Sequence, residues 1–361
     1  MPQSPNETPT LALGVTASCP HCHGTFQARV LPAICPLCHS GKPQAMEKSA
    51  MADHLEAIEA CIPHRFEFSK LGPQVRSFVR EIPLPPKDLN LKNQLQRLQK
   101  LYLPMWWVDA QVMAFWQAEV AFPYEVLSHE ENYESGHWQT KESRETRLKW
   151  EWRGGTLERQ YDNTPAPALI SFRKIESTLG YFDQDLAKPF QPESLHDTIL
   201  KWPDKGIQEA WHEALYDLDQ RAQEECRTAA NGDQIRSFSW EPVFTDKNWT
   251  QLLLPLYVSY YEDDQGQIHP IYFHGQTGKA AGVKRASEKK ARRRGMGLLS
   301  LALVALLSAL FGSIYMSDDP LFPGLLLGAG FLFLIGLVSS LQVLPKARRF
   351  NRRQGGEDFY I

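Results

Sequence analysis

The chain has 361 residues, six cysteines, a mean hydropathy of −0.38 and a formal net charge of −3. The charge is strongly divided, because residues 284–361 hold 12 Lys and Arg against 5 Asp and Glu, whereas residues 1–283 hold 27 against 37. So acidic a body argues against broad nucleic-acid binding, which needs a basic face.

The first residues predict a disordered tail over 1–17. Met1 to Ser18 is rich in Pro, Ser and Thr and contains no Lys or Arg. This composition lacks both a core-forming pattern and the basic start of a secretory signal peptide. We therefore expect ordered structure to begin near residue 18.

Residues 18–41 predict a zinc ribbon. Cys19 and Cys22 form one C-P-x-C turn, Cys35 and Cys38 form a second, and 12 residues separate the two turns. Each turn can place two sulfurs on one side of a Zn²⁺ ion, so together they supply the four ligands of a structural site. Clustered thiols in a cytosolic protein also favour metal over disulfides. A unit this small needs the metal in order to fold.

Three histidines near these turns are alternative ligands, namely His21, His23 and His39. With four protein ligands the ion keeps no open coordination position, so we expect one structural Zn²⁺ that stabilises or docks the ribbon rather than a catalytic centre. Cys61 and Cys226 stand alone in the sequence. They are not expected to bind the metal.

Residues 45–283 predict a cytosolic α+β body with a mostly antiparallel sheet. Apolar residues recur at helical spacing in four stretches: Met46–Ala60, Gln74–Arg80, Asp88–Tyr102 and Ile207–Ala230. Asp88 is a plausible N-cap for the third helix. The fourth predicts a buried side formed by Ile207, Trp211, Leu215 and Leu218. The pattern leaves open whether the body is one large domain or two small ones.

A period of two replaces the helical period from Trp106 to Phe122, where the even positions are apolar and several odd positions are polar. This alternation predicts a long strand with one buried face, broken by a possible bulge. A second strand is predicted over Thr146–Trp152, with Gly154-Gly155 turning the chain into a third at Thr156–Tyr161. The polar stretch Ser128–Ser143 predicts a hairpin loop. Two further strands are predicted at Leu252–Tyr261 and Gln267–Phe273.

Gly275 to Lys279 resembles the end of a phosphate-binding loop, but the pattern is incomplete. A Walker loop has a glycine where this chain has Phe273, and a Ser or Thr where it has Ala280. The segment therefore predicts a glycine turn rather than a nucleotide site. The sequence nominates no catalytic residue.

Two runs without charged residues, Gly297–Met316 and Leu321–Leu344, predict a transmembrane helical hairpin over 297–344. They contain 20 and 24 residues, and about 20 apolar residues cross the hydrocarbon core of a bilayer. Only 317–320 separates them, which is enough for a tight loop. The alternative is a buried helical hairpin of a soluble core.

Basic segments flank the two runs, a juxtamembrane segment at 284–296 and a tail at 345–361. Cationic flanks stay on the cytoplasmic side, so both termini are expected in the cytosol. Lipid contact is the expected role of 284–296, because anionic headgroups attract basic residues beside a membrane. Contact with nucleic acid is the alternative role.

Several sequence blocks resemble, in this order, a bacterial family of zinc-ribbon membrane anchors that is often labelled primosomal-helicase-like. The blocks are the ribbon Cys19–Cys38, Pro63–Phe66, Tyr102–Trp106, Tyr161–Asn163 and Leu254–Val258 followed by His274–Lys279. The resemblance implies a ribbon, a cytosolic body and a C-terminal membrane hairpin. The resemblance to a Bacillus member of this family implies a membrane anchor in an envelope-stress complex with an SPFH-type scaffold and a phage-shock protein.

Our first expectation for function is therefore a noncatalytic inner-membrane scaffold that recruits cytosolic partners. Its partners would be membrane lipids and cytosolic or membrane proteins, with SPFH-type and phage-shock-type proteins implied by the resemblance. The alternative is a membrane-tethered nucleic-acid factor related to replication. An unrecognised enzyme is a third possibility.

Overall fold

The computed structural model describes residues 14–46, 58–195, 197–315 and 322–354, which form eleven strands and six α-helices. The strands are β1 (Val15–Ser18), β2 (Thr25–Ala28), β3 (Gln44–Ala45), β4 (Ile58–Cys61), β5 (Gln99–Glu134), β6 (His137–Pro167), β7 (Lys188–Pro189), β8 (Thr198–Lys201), β9 (Gln234–Glu262), β10 (Ile268–His274) and β11 (Ala280–Gly282). The α-helices are α1 (Gly72–Arg80), α2 (Leu91–Arg97), α3 (Phe172–Leu179), α4 (Ile207–Ala230), α5 (Glu288–Tyr315) and α6 (Phe322–Gln354).

The predicted α+β class with a mostly antiparallel sheet is confirmed. The main path of the sheet runs β11-β10-β9-β5-β8-β2-β1-β3, while β6 pairs with β5, and β4 pairs with β9 and β7. Two of the described pairings are parallel, β5 with β8 and β4 with β9. The first strands β1 and β2 therefore belong to the same sheet as the body. The predicted tail 1–17 lies mostly outside the described residues, and its last residues are part of β1.

Three strands continue far beyond the core as an arm, which comprises 106–166, 234–250 and the helix α4. At about 3.3 Å per residue, the 36 residues of β5 span roughly 120 Å. The alternation predicted from Trp106 to Phe122 is confirmed, with the even positions buried or half-buried. The expected bulge lies beside Asp109, where the pairings to both neighbours shift register. Asp109 accepts a bond from the Asn163 amide at 2.7 Å.

The prediction of a hairpin loop at Ser128–Ser143 is wrong. Pairing continues to Glu134 and His137, and a two-residue turn closes the hairpin. Its residues Ser135 and Gly136 have φ values of 57° and 83°, which a tight turn of this hand requires. The tip of the arm, 122–149, extends past the last β5–β9 pair and is largely exposed to solvent.

The turn predicted at Gly154-Gly155 is also wrong, because both glycines lie inside β6. A Cβ added to Gly155 would sit 3.0 Å from Cζ2 of Trp116 on the facing strand. The glycine leaves room for the indole instead of reversing the chain. The strands predicted on either side are thus one continuous strand.

Two helix predictions near the body are confirmed in part. The helix at Gln74–Arg80 is present within α1, but the predicted helix Asp88–Tyr102 is shorter, and its end forms the start of β5. Asn90 caps α2 by accepting a bond from the Asn93 amide. Asp88 is not the cap, because its carboxylate binds Arg97 and accepts the Glu262 amide at 2.9 Å.

The predicted helix Met46–Ala60 falls mostly outside the described residues, and its last residues form β4 rather than a helix. Ile58, Ala60 and Cys61 are buried against β9. Pairing with an existing strand overrides the local preference there.

The helix predicted at Ile207–Ala230 is confirmed as α4 and covers one face of the arm. Its buried side differs from the predicted one, since Ile207 is 45% exposed. The buried positions recur mainly every fourth residue: Ala210, Ala214, Leu218, Ala222, Cys226 and Ala230. These mostly small side chains let the helix lie close to β5 and β6. The predicted strands at 252–261 and 267–273 are confirmed within β9 and β10.

The helices α5 and α6 are long and apolar enough to cross a membrane. An 18-residue stretch within each of the spans Glu288–Phe311 and Leu327–Gln354 has a mean hydropathy of 1.9 and 2.0, respectively, and only 11% and 0% of these stretches is buried. They lie antiparallel, with Gly336 against Ala302 and Gly295 against Ser340. The predicted loop 317–320 lies outside the described residues. Most of the predicted basic segment 284–296, and residues 345–354 of the predicted tail 345–361, are continuous with these helices, and residues 355–361 lie outside the described residues.

Candidate metal centre

The four clustered cysteines come together in the folded chain. The sulfurs of Cys19, Cys22, Cys35 and Cys38 all lie within 4.8 Å of one another, in a group that could hold one metal ion. The Sγ atoms of Cys19 and Cys38 are 3.8 Å apart, and those of Cys22 and Cys35 are separated by the same distance. Four sulfurs placed tetrahedrally at 2.3 Å from Zn²⁺ are separated by about 3.8 Å. The spacing of the donors therefore fits zinc.

The two C-P-x-C turns have matching backbone geometry. In the first, the His23 amide donates to the Cys19 carbonyl at 2.8 Å, and in the second the His39 amide donates to Cys35 at the same distance. Both histidines have positive φ values, 57° and 54°. This conformation closes each turn and brings its two sulfurs to one side. The Leu37 amide additionally points at the Cys35 sulfur at 3.4 Å.

Two glycines give the sulfurs the space they need. A Cβ on Gly24 would lie 2.6 Å from Leu37 Cδ1 and 3.4 Å from Cys22 Sγ. A Cβ on Gly41 would overlap Cys19 Sγ. The backbone thus approaches the thiols closely in both halves of the site, as a compact metal-binding group requires.

The thiols cannot all ionise without a compensating cation. The Cys35 thiol donates hydrogen bonds to Cys22 and Cys38, and these bonds, together with burial, raise the pKa of Cys35 far above its ordinary value. The pKa of Cys38 is lowered, because its thiolate accepts hydrogen bonds from Cys22 and Cys35. One thiolate is therefore favoured at the expense of its neighbours. A divalent cation removes this conflict by binding all four thiolates.

None of the three alternative histidine ligands belongs to the described group of four sulfurs. His21 and His23 are exposed. His39 is buried, its ring centroid lies 4.7 Å from that of Tyr260, and burial lowers its pKa to about 4. Its Nε2 has no hydrogen-bond partner among the described residues. His39 packs between the ribbon and the sheet rather than joining the four sulfurs.

The predicted ribbon, residues 18–41, is bonded directly to the body. Phe26 and Gln27 of β2 pair with Lys201 and Leu200 of β8, and the Tyr272 hydroxyl donates to the Leu37 carbonyl at 2.9 Å. Cys19, Cys35, Cys38, Phe26 and Leu37 share one buried cluster with Leu101 and Leu254. Lys201 and Tyr272 could not be predicted as neighbours of the cysteines, because both lie far from them along the chain.

The segment Gly275–Lys279 folds as a turn whose polar groups are already bonded. The amides of Gln276 and Thr277 donate to Nδ1 of His274 at 3.1 and 3.4 Å, and the Gly278 amide donates to the His274 carbonyl. Burial lowers the pKa of His274, which favours the neutral ring that this bonding needs. These amides are therefore engaged within the turn and do not form a phosphate cradle.

Gln276 uses the same turn to hold the loop before the short strand β7. Its side chain accepts from the Asp183 amide at 3.0 Å and donates to the Asp183 carbonyl at 2.8 Å. The His274 Nε2 donates to the Tyr181 carbonyl. The motif thus fastens a neighbouring loop to the sheet.

No protein-family model, curated protein or solved structure matches this chain.

Proposed function

We propose that this chain is a noncatalytic scaffold, anchored in the bacterial inner membrane by α5 and α6 and stabilised by one Zn²⁺ at Cys19, Cys22, Cys35 and Cys38. The arm is the surface that recruits cytosolic partners. One observation carries this proposal: a long exposed β-arm and two helices of membrane-spanning length belong to the same folded body.

The membrane helices join the body through specific polar contacts. The Asp264 carboxylate accepts bonds from Ser287 Oγ at 2.8 and 3.0 Å. The Tyr261 hydroxyl donates to the Val283 carbonyl and accepts the Arg285 amide. Asn351 near the end of α6 accepts the Ala286 amide at 2.7 Å. These bonds support a fixed placement of the body relative to the two helices.

The arm leads away from this junction. Asp264 follows the end of β9, where Val258 pairs with Gln99 at the start of β5. The tip lies at the other end of β5. The tip carries exposed aromatic residues. Tyr133 and Trp138 pair across the strands, with their ring centroids 5.2 Å apart. Exposed aromatic side chains are favoured in protein interfaces, which supports recruitment at the tip.

The topology proposal places both termini in the cytosol. Reporter fusions after Met1 and after Ile361 are expected to give cytosolic signals, and a cysteine introduced at Ser317 should label from the periplasm. The physical reason is the positive charge at both outer ends of the helices. Carbonate extraction should leave the chain in the membrane fraction. Periplasmic labelling of a cysteine at Arg353 would contradict the hairpin.

Recruitment by the arm is tested by shortening it. Pro123 pairs with Leu148, so residues 124–147 can be replaced by an Asn-Gly turn that closes the hairpin at that pair. The shortened protein is expected to stay in the membrane and keep its zinc, because the tip buries few side chains. Cross-linking in intact cells followed by affinity capture should then lose the cytosolic partners.

The partners expected in this capture are SPFH-type and phage-shock-type proteins. The wild-type chain, cross-linked under the same conditions, provides the reference set. Zinc content and membrane retention of the shortened chain are the internal controls for folding. An unchanged set of partners after shortening would contradict a recruiting role for the arm.

A further inference from the structure

A groove lies where α5 and α6 meet the body. Its volume is about 330 Å³, and its walls include Pro83, Leu84, Arg294, Leu298, Val343 and Lys346. This volume is at the lower end of the roughly 300–1,000 Å³ that small-molecule sites occupy. The groove is formed by a loop of the body on one side and by both long helices on the other.

The lining of the groove changes from charged to apolar along the helices. Arg294 precedes the apolar run that begins at Gly297. Leu298 lies about one helical turn, or roughly 6 Å, beyond Arg294 along α5. On α6, which runs antiparallel to α5, Lys346 lies at the same end of the groove as Arg294, and Val343 lies at the same end as Leu298. Both cations are exposed and form no ion pair with a described residue. The charged end therefore faces the body, and the apolar end faces the proposed membrane spans.

This groove differs in charge from the neighbouring hollows. Asp263 and Asp264 contribute to two of them, and Glu81 contributes to a third, so cations there have carboxylates beside them. The described lining of the groove contains two cations and no carboxylate. An anion is the chemical species that such a lining attracts.

The loop wall of the groove is held in a strained conformation. Leu84 has a φ of 58°, which side chains with a Cβ rarely adopt. The Leu84 carbonyl accepts the Ser287 amide at 2.8 Å, and the Pro85 carbonyl accepts Lys290 Nζ at 2.6 Å. Leu84 also packs in the cluster that contains Ala347. These contacts fix the wall against the two helices before any ligand binds.

We propose that this groove binds one anionic phospholipid, with the headgroup phosphate at Arg294 and Lys346 and the first part of an acyl chain along Leu298 and Val343. The assignment rests on the membrane insertion proposed above. A phosphate diester matches two unpaired cations, and an acyl chain matches the apolar end. A soluble phosphate would match the charged end alone.

The test uses the full-length protein in an uncharged detergent, so that binding is measured independently of insertion into a bilayer. Dioctanoyl phosphatidylglycerol is titrated and detected by native mass spectrometry, with dioctanoyl phosphatidylcholine and inorganic phosphate as comparison probes. One phosphatidylglycerol per chain is expected. Arg294→Gln combined with Lys346→Gln should weaken its binding at least tenfold.

The matched control is Arg349→Gln combined with Arg352→Gln, which removes the same charge from exposed positions of α6 outside the groove. This pair should weaken binding less than threefold. Equal weakening by both pairs would reduce the effect to general attraction and overturn the site. Inorganic phosphate binding as tightly as the lipid would also overturn it. Carbonate extraction reports failure of membrane insertion separately.

Discussion

Replacing Cys22 with serine is expected to release the metal and to disturb more than the ribbon. Wild-type protein should contain about one Zn²⁺ per chain, and Cys22→Ser should contain almost none. Binding of a structural zinc supplies about 10–16 kcal/mol in small metal-dependent units, which is comparable to the whole stability of a typical domain. Because β2 pairs with β8, loss of the ribbon also exposes an edge of the main sheet.

The measurements for this prediction are metal content and limited proteolysis of the full-length protein. Cleavage is expected first between residues 19 and 41, and then near β8. The matched controls are Cys226→Ser on α4 and Cys61→Ser in β4, both buried and distant from the four sulfurs in sequence. They should keep one zinc while losing about 1–3 kcal/mol by burying a hydroxyl. Stoichiometric zinc in a Cys19→Ser, Cys35→Ser double variant would contradict the assignment.

The convergence of the four cysteines could be predicted from sequence because the spacing is a local property of two short turns. The docking of the ribbon could not be predicted in this way. Tyr272 contacts the Leu37 carbonyl across more than two hundred residues, and the pairing of β2 with β8 depends on where β8 lies beside β5. No single-sequence pattern encodes such a distant pairing.

The strands of the arm show where the local signal ends. The apolar alternation from Trp106 to Phe122 is visible because α4 buries one face. No described element covers the tip, so its sequence is mostly polar and resembles a loop. Its strand pairing is fixed instead by the Ser135-Gly136 turn and by cross-strand pairs such as Tyr133 with Trp138. In the sequence, the Ser135-Gly136 dipeptide was the pattern from which this hairpin turn could have been predicted.

Three of the sequence blocks that carried the family resemblance meet in one region of the fold, namely Pro63–Phe66, Leu254–Val258 and His274–Lys279. His64 donates to the Leu256 carbonyl at 2.8 Å, and the Arg65 amide donates to the Gly275 carbonyl at 3.0 Å. Tyr257 exchanges hydrogen bonds with the backbone of Phe66. Burial lowers the pKa of His64 to about 4. These contacts join separate chain segments and give His64 and Tyr257 a structural role.

Alanine at Gly275 and alanine at Lys279 are expected to have opposite consequences. A Cβ on Gly275 would lie 2.5 Å from both Cβ and the carbonyl oxygen of Pro255. The Gly275 amide also donates to that carbonyl at 2.9 Å, so the two strands cannot separate without losing the bond. Gly275→Ala should therefore destabilise the protein by about 2–3 kcal/mol through overpacking, measured as a lower urea midpoint.

Lys279→Ala removes an exposed side chain and should change stability by no more than about 0.5 kcal/mol. Nucleotide hydrolysis needs backbone amides around the phosphates, a lysine on the β and γ oxygens and a hydroxyl on Mg²⁺. Here the amides of Gln276 and Thr277 are bonded to His274, and Ala280 replaces the hydroxyl. We expect no ATP hydrolysis above background with or without DNA. Turnover that disappears in Lys279→Ala would overturn the scaffold proposal and support a nucleotide-dependent function.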